Sequence, residues 1–170
     1  MNLDTLQRAH LVDFCYAEAR HTGSLDCMKA VAYVLRNRLR LGWGDGSWQR
    51  LINAAPTTAG NDSRFEGIRS SPGLAISNCV GVEPDLNDRL LQMLARDIDD
   101  IYLGTSNDDV RRVVEGTVAP EGTGSPAKPA PALYYQFIDL PVRTWFVDNI
   151  VRDHENHPRI GQVGMMALFR

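Results

Sequence analysis

The sequence predicts a mainly α fold with a minor β part, organised as one domain over residues 1–170. Three observations predict it. Apolar residues recur at helical spacing in separate stretches before Gly23, Gly42 and Gly104, each glycine placed where a left-handed residue ends a helix. Extended character is confined to the last third, in "ALYYQFI" and "IGQVGMMALF". A chain of 170 residues with 44% apolar and 23% charged residues has the balance of a globular protein, long enough to bury a core without staples.

The elements follow in order. A first helix is expected over residues 3–20, stopping at "HTG". Ser24 caps a second helix running to about Leu41, with Met28, Val31, Ala32, Leu35 and Leu39 on one stripe. "GDGSWQRLI" reads as a turn and a short helix capped by Ser47. The stretch from about residue 55 to 84, with "AAPTTAGNDSRFEGIRSSPG" at its start, is a polar, non-periodic loop of a length that is often functional. A long helix from about Asp85 to Leu103 carries Leu90, Leu91, Leu94, Ile98 and Ile101. Ser106 is expected to cap a short helix in "NDDVRRVVEG". Residues 117–131 read as a Pro/Gly/Ala-rich surface loop within the domain. "ALYYQFI" reads as extended, "VRTWFVDNIV" as a short helix, and "IGQVGMMALF" as a terminal strand or tight turn.

Composition excludes several function classes. A net charge of −3 and a pI near 5.8 argue against a nucleic-acid partner, which needs a basic face. Arg36, Arg38 and Arg40 fan out around their helix and read as solvated surface. Cys15, Cys27 and Cys79 form no CxxC pair and no zinc-ligand spacing. They fit a reducing compartment or a chain with no need of disulfides. Cys15 lies on the apolar face of the first helix and reads as a small buried hydrophobe. A Cys/His nucleophile pair is disfavoured: His21 is near in sequence, but His10 and Cys15, five positions apart, fall on different faces. There is no phosphate loop, GxGxxG, GxSxG or HExxH. His154 and His157 are spaced like some metal ligands, but Pro158 breaks a helix there, and they read as surface histidines. Asp97, Asp99 and Asp100 read as a solvated acidic face, not a calcium loop. The expectation is therefore no metal and no cofactor. No run reaches membrane-spanning length, and "MNLDTLQRAH" lacks a basic segment followed by an apolar one, so synthesis in the cytoplasm is expected.

One residue conflicts with its position. At about 100° per residue, Glu18 lies about 20° from Leu11, about 40° from Phe14 and about 60° from Cys15, in line with the apolar face. Burying an unpaired carboxylate costs free energy and raises its pKa. The structural answer is a helix end where Glu18 reaches solvent or pairs with Arg20 or Lys29. The functional answer is a carboxylic acid kept protonated near neutral pH for proton transfer.

The segment around Glu18 resembles a known family. "YAEARHTGSLDCMKAVAYVLRNRL", residues 16–39, is similar to the opening of the spore cortex-lytic enzymes (SleB-type cell-wall hydrolases). That pattern is a helix ending in Tyr-Gly-Glu-Ala-Arg, a Gly-containing turn, and a second helix with Ala-Val-Ala and Val-Leu-Asn-Arg-Val. Tyr16, Glu18, Ala19 and Arg20 match the first part, with Ala17 where Gly is usual. Gly23, Ala30, Val31, Ala32, Val34, Leu35, Asn37, Arg38 and Leu39 match the second. "DDIYLG", the pair Tyr134–Tyr135 and "PRIGQVGMMALF" follow the family's order, without a His between Gly161 and Phe169.

The resemblance implies a lysozyme-like, lytic transglycosylase-like fold that cleaves peptidoglycan glycan strands, with Glu18 as the catalytic acid. The site of action would then be the cell wall or periplasm, reached by an export or release route other than a signal peptide. A plain hydrolase of muramidase type needs a second carboxylate about 5–9.5 Å away, for which Asp62 and Glu66 are the candidates. A lytic transglycosylase needs one acid/base, because the muramyl 6-hydroxyl attacks in place of water. A third alternative is a non-catalytic glycan-binding or phage- or secretion-associated module of the same fold, favoured by the missing C-terminal His. Thr57, Thr58, Asn61, Ser63 and Glu66 are the loop residues expected to contact substrate, together with Tyr134 or Tyr135. Neighbours in a strand face opposite ways, so one ring should face the core and the other the sugar, unless both pack in the core. Trp43, Trp48 and Trp145 read as core or edge residues, and Asn37 and Arg38 as braces between helices.

Overall fold

The computed structural model describes residue 3 and residues 5–43, 87–116, 131–140 and 146–170. The short helix expected after Gly42, residues 55–84 with Thr57, Thr58, Asn61, Asp62, Ser63 and Glu66, the loop from 117 to 130, and Trp48, Cys79 and Trp145 all lie outside the described residues.

Helix α1 (Thr5–Ala19) continues into a 3₁₀ turn, Arg20–Thr22, that ends at Gly23 with φ 62°. Helix α2 (Leu25–Arg40) starts where expected: the Ser24 side chain accepts the Cys27 N–H at 3.3 Å. Helix α3 (Arg89–Leu103) begins later than the expected Asp85, because the Asp88 carboxylate takes the Leu90 and Leu91 N–H groups. Helix α4 (Asp109–Val114) is capped by Asp108, which accepts the Arg111 N–H at 2.8 Å, and not by Ser106 as the sequence suggested. The Ser106 hydroxyl instead donates to Asp108.

Helix α2 is central. It packs against α1, α3, α4 and the sheet, and its residues from Cys27 to Leu35 are buried except Lys29. The amphipathic stripe of the sequence reading is therefore too narrow, since a helix surrounded by partners buries nearly its whole circumference. On α3 the expected Leu91, Leu94, Ile98 and Ile101 are buried and Leu90 half-buried. Gly104 ends α3 with φ 74°, and the Arg36 guanidinium fills the space a Cβ would take.

The helices are also tied by charge. Lys29 pairs with Asp97 at 2.6 Å and Asp108 at 3.3 Å, and Tyr33 Oη donates to Asp108 at 3.1 Å. Burial alone would lower the Lys29 ammonium, but the two aspartates outweigh it and hold it above the ordinary lysine value. Burial pushes the Tyr33 phenol up to about 12. Asp99 pairs with Arg8 at 2.9 Å, so Asp97 and Asp99, though 40% and 49% exposed, tie α3 to α2 and α1, while Asp100 is exposed as the sequence suggested. Arg36 donates to Glu115 at 2.8 Å and to the Tyr102 carbonyl, joining α2 to α3 and α4.

Three antiparallel strands, β1 (Tyr134–Phe137), β2 (Arg159–Val163) and β3 (Met166–Phe169), form a sheet in the order β1-β3-β2. The segment expected as a terminal strand or tight turn contains both, a hairpin of β2 and β3 turning at Gly164. Tyr134 pairs with Phe169 and Tyr135 with Leu168. Phe137, Met166 and Leu168 face the helical core, whereas Ala167 and Phe169 pack with Ile150, Phe146 and Tyr134 on the other face. The segment expected as a short helix forms a π-helical turn, Val147–Val151, whose Ile150 covers that second face. No helix of the described residues is long and apolar enough to cross a membrane.

Candidate active site

Glu18 lies in the last turn of α1 and is 7% exposed, among the buried Phe14, Cys15 and Ala19. It is not paired with Lys29, whose ammonium is held by α3 and Asp108. Its Oε2 accepts a hydrogen bond of 2.9 Å from Tyr135 Oη, brought in by β1 from 117 residues away. Burial, followed by the Glu18 charge, pushes the Tyr135 phenol well above its ordinary value, with Arg38 opposing. Tyr135 therefore keeps its proton at neutral pH and remains a donor. The same two causes, burial and then Glu18, raise the Cys15 thiol, which excludes it as a nucleophile near neutral pH.

The reach of Tyr135 is set by α2. Asn37 Nδ2 donates to the Ala132 carbonyl at 3.1 Å, and Arg38 Nε donates to the Leu133 carbonyl at 2.6 Å. Two neighbouring side chains thus fix the two residues ahead of β1, and with them the register that carries Tyr135 to Glu18. Asn37 Nδ2 also reaches the Val114 carbonyl at the end of α4 at 3.5 Å, so the brace runs from α2 both to the approach to β1 and, as the sequence suggested, to another helix. Arg36 and Arg38 are not solvated: their side chains are ion-paired or buried, and only Arg40 stands in solvent at 63% exposure. One signal for Arg38 was present in the sequence. It lies three residues after Leu35 and seven after Val31, on the apolar stripe, just as Glu18 does on α1.

Tyr134 and Tyr135 do face opposite ways, but neither ring stands clear in solvent. Tyr134 packs edge-on against Trp43 at 5.9 Å and His157 at 5.1 Å, and the Arg38 guanidinium lies 5.6 Å from its ring centre. The second face of the sheet has its own apolar cover, so strand alternation did not make that face a surface. Trp43 is half-buried with Arg38 at 5.2 Å from its ring, in keeping with an edge residue. Tyr16, two residues before Glu18 in the motif, donates to the α3 cap Asp88 at 2.6 Å. That hydrogen bond, ahead of burial, which opposes it, and the two cap N–H groups, holds the Asp88 carboxyl below its usual range.

At the outer end of the same row sits His21, on the 3₁₀ turn. Its ring meets Phe137 edge-on at 4.5 Å, and its Nε2 lies 3.7 Å from Asp139 Oδ1. Phe137 in turn meets Tyr135 at 5.7 Å. Nothing in the sequence joined His21 to Asp139. Of the other histidines, His154 and His157 face separate backbone carbonyls, Arg152 at 3.4 Å and Arg170 at 2.8 Å, so they do not converge on one point. The arrangement can do one kind of chemistry: a covered carboxyl with a neutral hydroxyl partner can deliver a proton and be stabilised as its charge forms. No family model, no curated protein and no solved structure matches the chain.

Proposed function

We propose that this protein cleaves the glycan strands of peptidoglycan as a lytic transglycosylase, with Glu18 as the proton donor. The observation that carries the reading is the buried Glu18 carboxyl with Tyr135 Oη on Oε2. The likeness of residues 16–39 to the spore cortex-lytic enzymes supports the same reading from the sequence. The Glu18 carboxyl delivers its proton to the leaving glycosidic oxygen as the bond to the sugar C1 breaks. Charge then develops on Glu18, and the Tyr135 hydrogen bond strengthens as it does. An interaction stronger in the transition state than in the ground state lowers the barrier. The muramyl 6-hydroxyl closes onto C1 and gives its proton to a base, leaving an anhydro end.

Digestion of purified sacculi tests this, with the released fragments weighed by mass spectrometry. Anhydromuropeptides from the parent protein and none from Glu18→Gln are expected. Reducing ends would assign hydrolysis by water, and binding to sacculi without release would assign a non-catalytic module.

A further inference from the structure

We propose that His21, oriented by Asp139, is the base that accepts the proton of the attacking hydroxyl while Glu18 supplies the proton to the leaving oxygen. The inference rests on the glycan-cleaving reading above and divides its proton transfers between two groups.

Three features of the structure support it. His21 follows Glu18 by three residues on the 3₁₀ continuation of α1, which sets one side chain over the other with Cβ atoms roughly 5–6 Å apart. Asp139 sits in the turn after β1, four residues from Tyr135, so the element that supplies the partner of Glu18 also supplies the partner of His21. That turn is anchored by the Leu140 N–H on the Phe137 carbonyl at 3.3 Å and the Ile138 N–H on the Met165 carbonyl at 2.9 Å. Third, the His21 and Asp139 side chains are 30% and 33% exposed, whereas Glu18 is nearly covered. A base has to be reached by the incoming hydroxyl, and the outer position suits it.

The Nε2–Oδ1 separation of 3.7 Å is beyond a formed hydrogen bond. Catalytic hydrogen bonds are often long in a ligand-free site and shorten in the substrate complex. With Nε2 toward Asp139, Nδ1 is the nitrogen left for the substrate, and the carboxylate favours the tautomer that keeps Nδ1 unprotonated. The step balances. The C1–O bond of the glycoside breaks as Glu18 protonates the leaving oxygen. The C1–O bond to the 6-hydroxyl, or to water in hydrolysis, forms as its proton passes to His21 Nδ1. Return of one proton from His21 to Glu18 through solvent resets both groups.

The test uses the full chain on purified sacculi. His21→Ala is expected to lower turnover by about 10²- to 10⁴-fold with binding to sacculi kept. Added imidazole should restore turnover in proportion to its concentration, which a purely structural loss would not allow. It should not restore Glu18→Gln. Asp139→Asn should lower turnover by a smaller factor, since His21 remains. Parental turnover in a folded His21→Ala protein, or a loss that imidazole leaves unchanged, overturns the inference while an inactive Glu18→Gln keeps the function reading. If His21→Ala does not fold, His21→Gln takes its place: a loss of a hundredfold or more in the folded protein supports the base, and parental turnover overturns it. A parent protein that releases nothing from sacculi overturns the function reading and the base with it.

Discussion

Tyr135 Oη donates to Glu18 Oε2 across 2.9 Å, joining the first helix to a strand 117 residues later in the chain. The bond is between a neutral phenol and a carboxyl that the core has nearly closed over. It meets the cost of burying Glu18 that the helix pattern raises, because a buried charge is tolerated where hydrogen bonds reach it.

Glu18→Gln keeps size and shape and removes the titratable proton. Turnover on sacculi should fall by at least about 10²- to 10⁴-fold, the usual contribution of general acid catalysis. The melting temperature should change little, and binding to intact glycan should persist. In the parent, activity should fall on the alkaline limb as the donor loses its proton. An active Glu18→Gln protein would remove Glu18 from the mechanism.

Tyr135→Phe deletes the donor and keeps the ring against Phe137. A hydrogen bond to a charged group contributes about 1.5–3 kcal/mol, so turnover should fall roughly 10- to 100-fold. Tyr134→Phe removes no hydrogen bond to Glu18 and should leave turnover within about a factor of two or three, well below one kcal/mol. Equal losses from both would detach the effect from the Glu18 bond. Steady-state release of soluble fragments measures it.

Asn37→Ala leaves the Ala132 carbonyl without the donor 3.1 Å away and should cost about 1–3 kcal/mol in denaturant unfolding. Arg38→Lys loses the Nε bond to Leu133 and the flat contact with Trp43 and Tyr134, which an ammonium cannot reproduce. Both should reduce turnover beyond what stability explains, because they release the strand that positions Tyr135. Full activity in a destabilised Asn37→Ala protein would argue against that brace.

Stability should depend on pH through Lys29, Tyr33 and Asp108. Folded Tyr33 keeps its proton to about 12, whereas the unfolded chain loses it near 10. The folded state therefore binds more protons between those values, and stability falls as pH rises through that window. Lys29, held above its ordinary value, acts in the same sense on the alkaline side. At Asp108 burial opposes ionisation, but the Arg111 N–H, Lys29 and Tyr33 outweigh it and lower the carboxyl. Its contribution is present at neutral pH and is lost as pH falls through the carboxylate range. Tyr33→Phe should flatten the alkaline fall in melting temperature; an unchanged slope would refute the assignment.

Gly104→Ala forces a side chain into a left-handed residue and into the Arg36 guanidinium. The strain alone is worth about 1–3 kcal/mol, and displacing Arg36 also breaks its bond to Glu115. Thermal unfolding checks the loss.

Local order was legible from the sequence alone. Ser24, Gly23 and Gly104 announce helix ends because capping and left-handed turns are decided by a few adjacent residues. The apolar repeat on α3 names its buried residues, since one side of that helix meets the core. Glu18 stood out for the same reason, as a carboxylate in an apolar register. What the tertiary structure decided is everything that depends on which segments meet. That α2 is enclosed over nearly its whole circumference, and so buries Asn37 as well as the Arg38 of its apolar stripe, follows from its partners. The pairing of β1 with β3, the cover over Tyr134, and the meetings of Tyr135 with Glu18 and Asp139 with His21 are long-range pairings. Periodicity reports which way a side chain points along its own helix or strand; only the packing of distant segments decides what it points at.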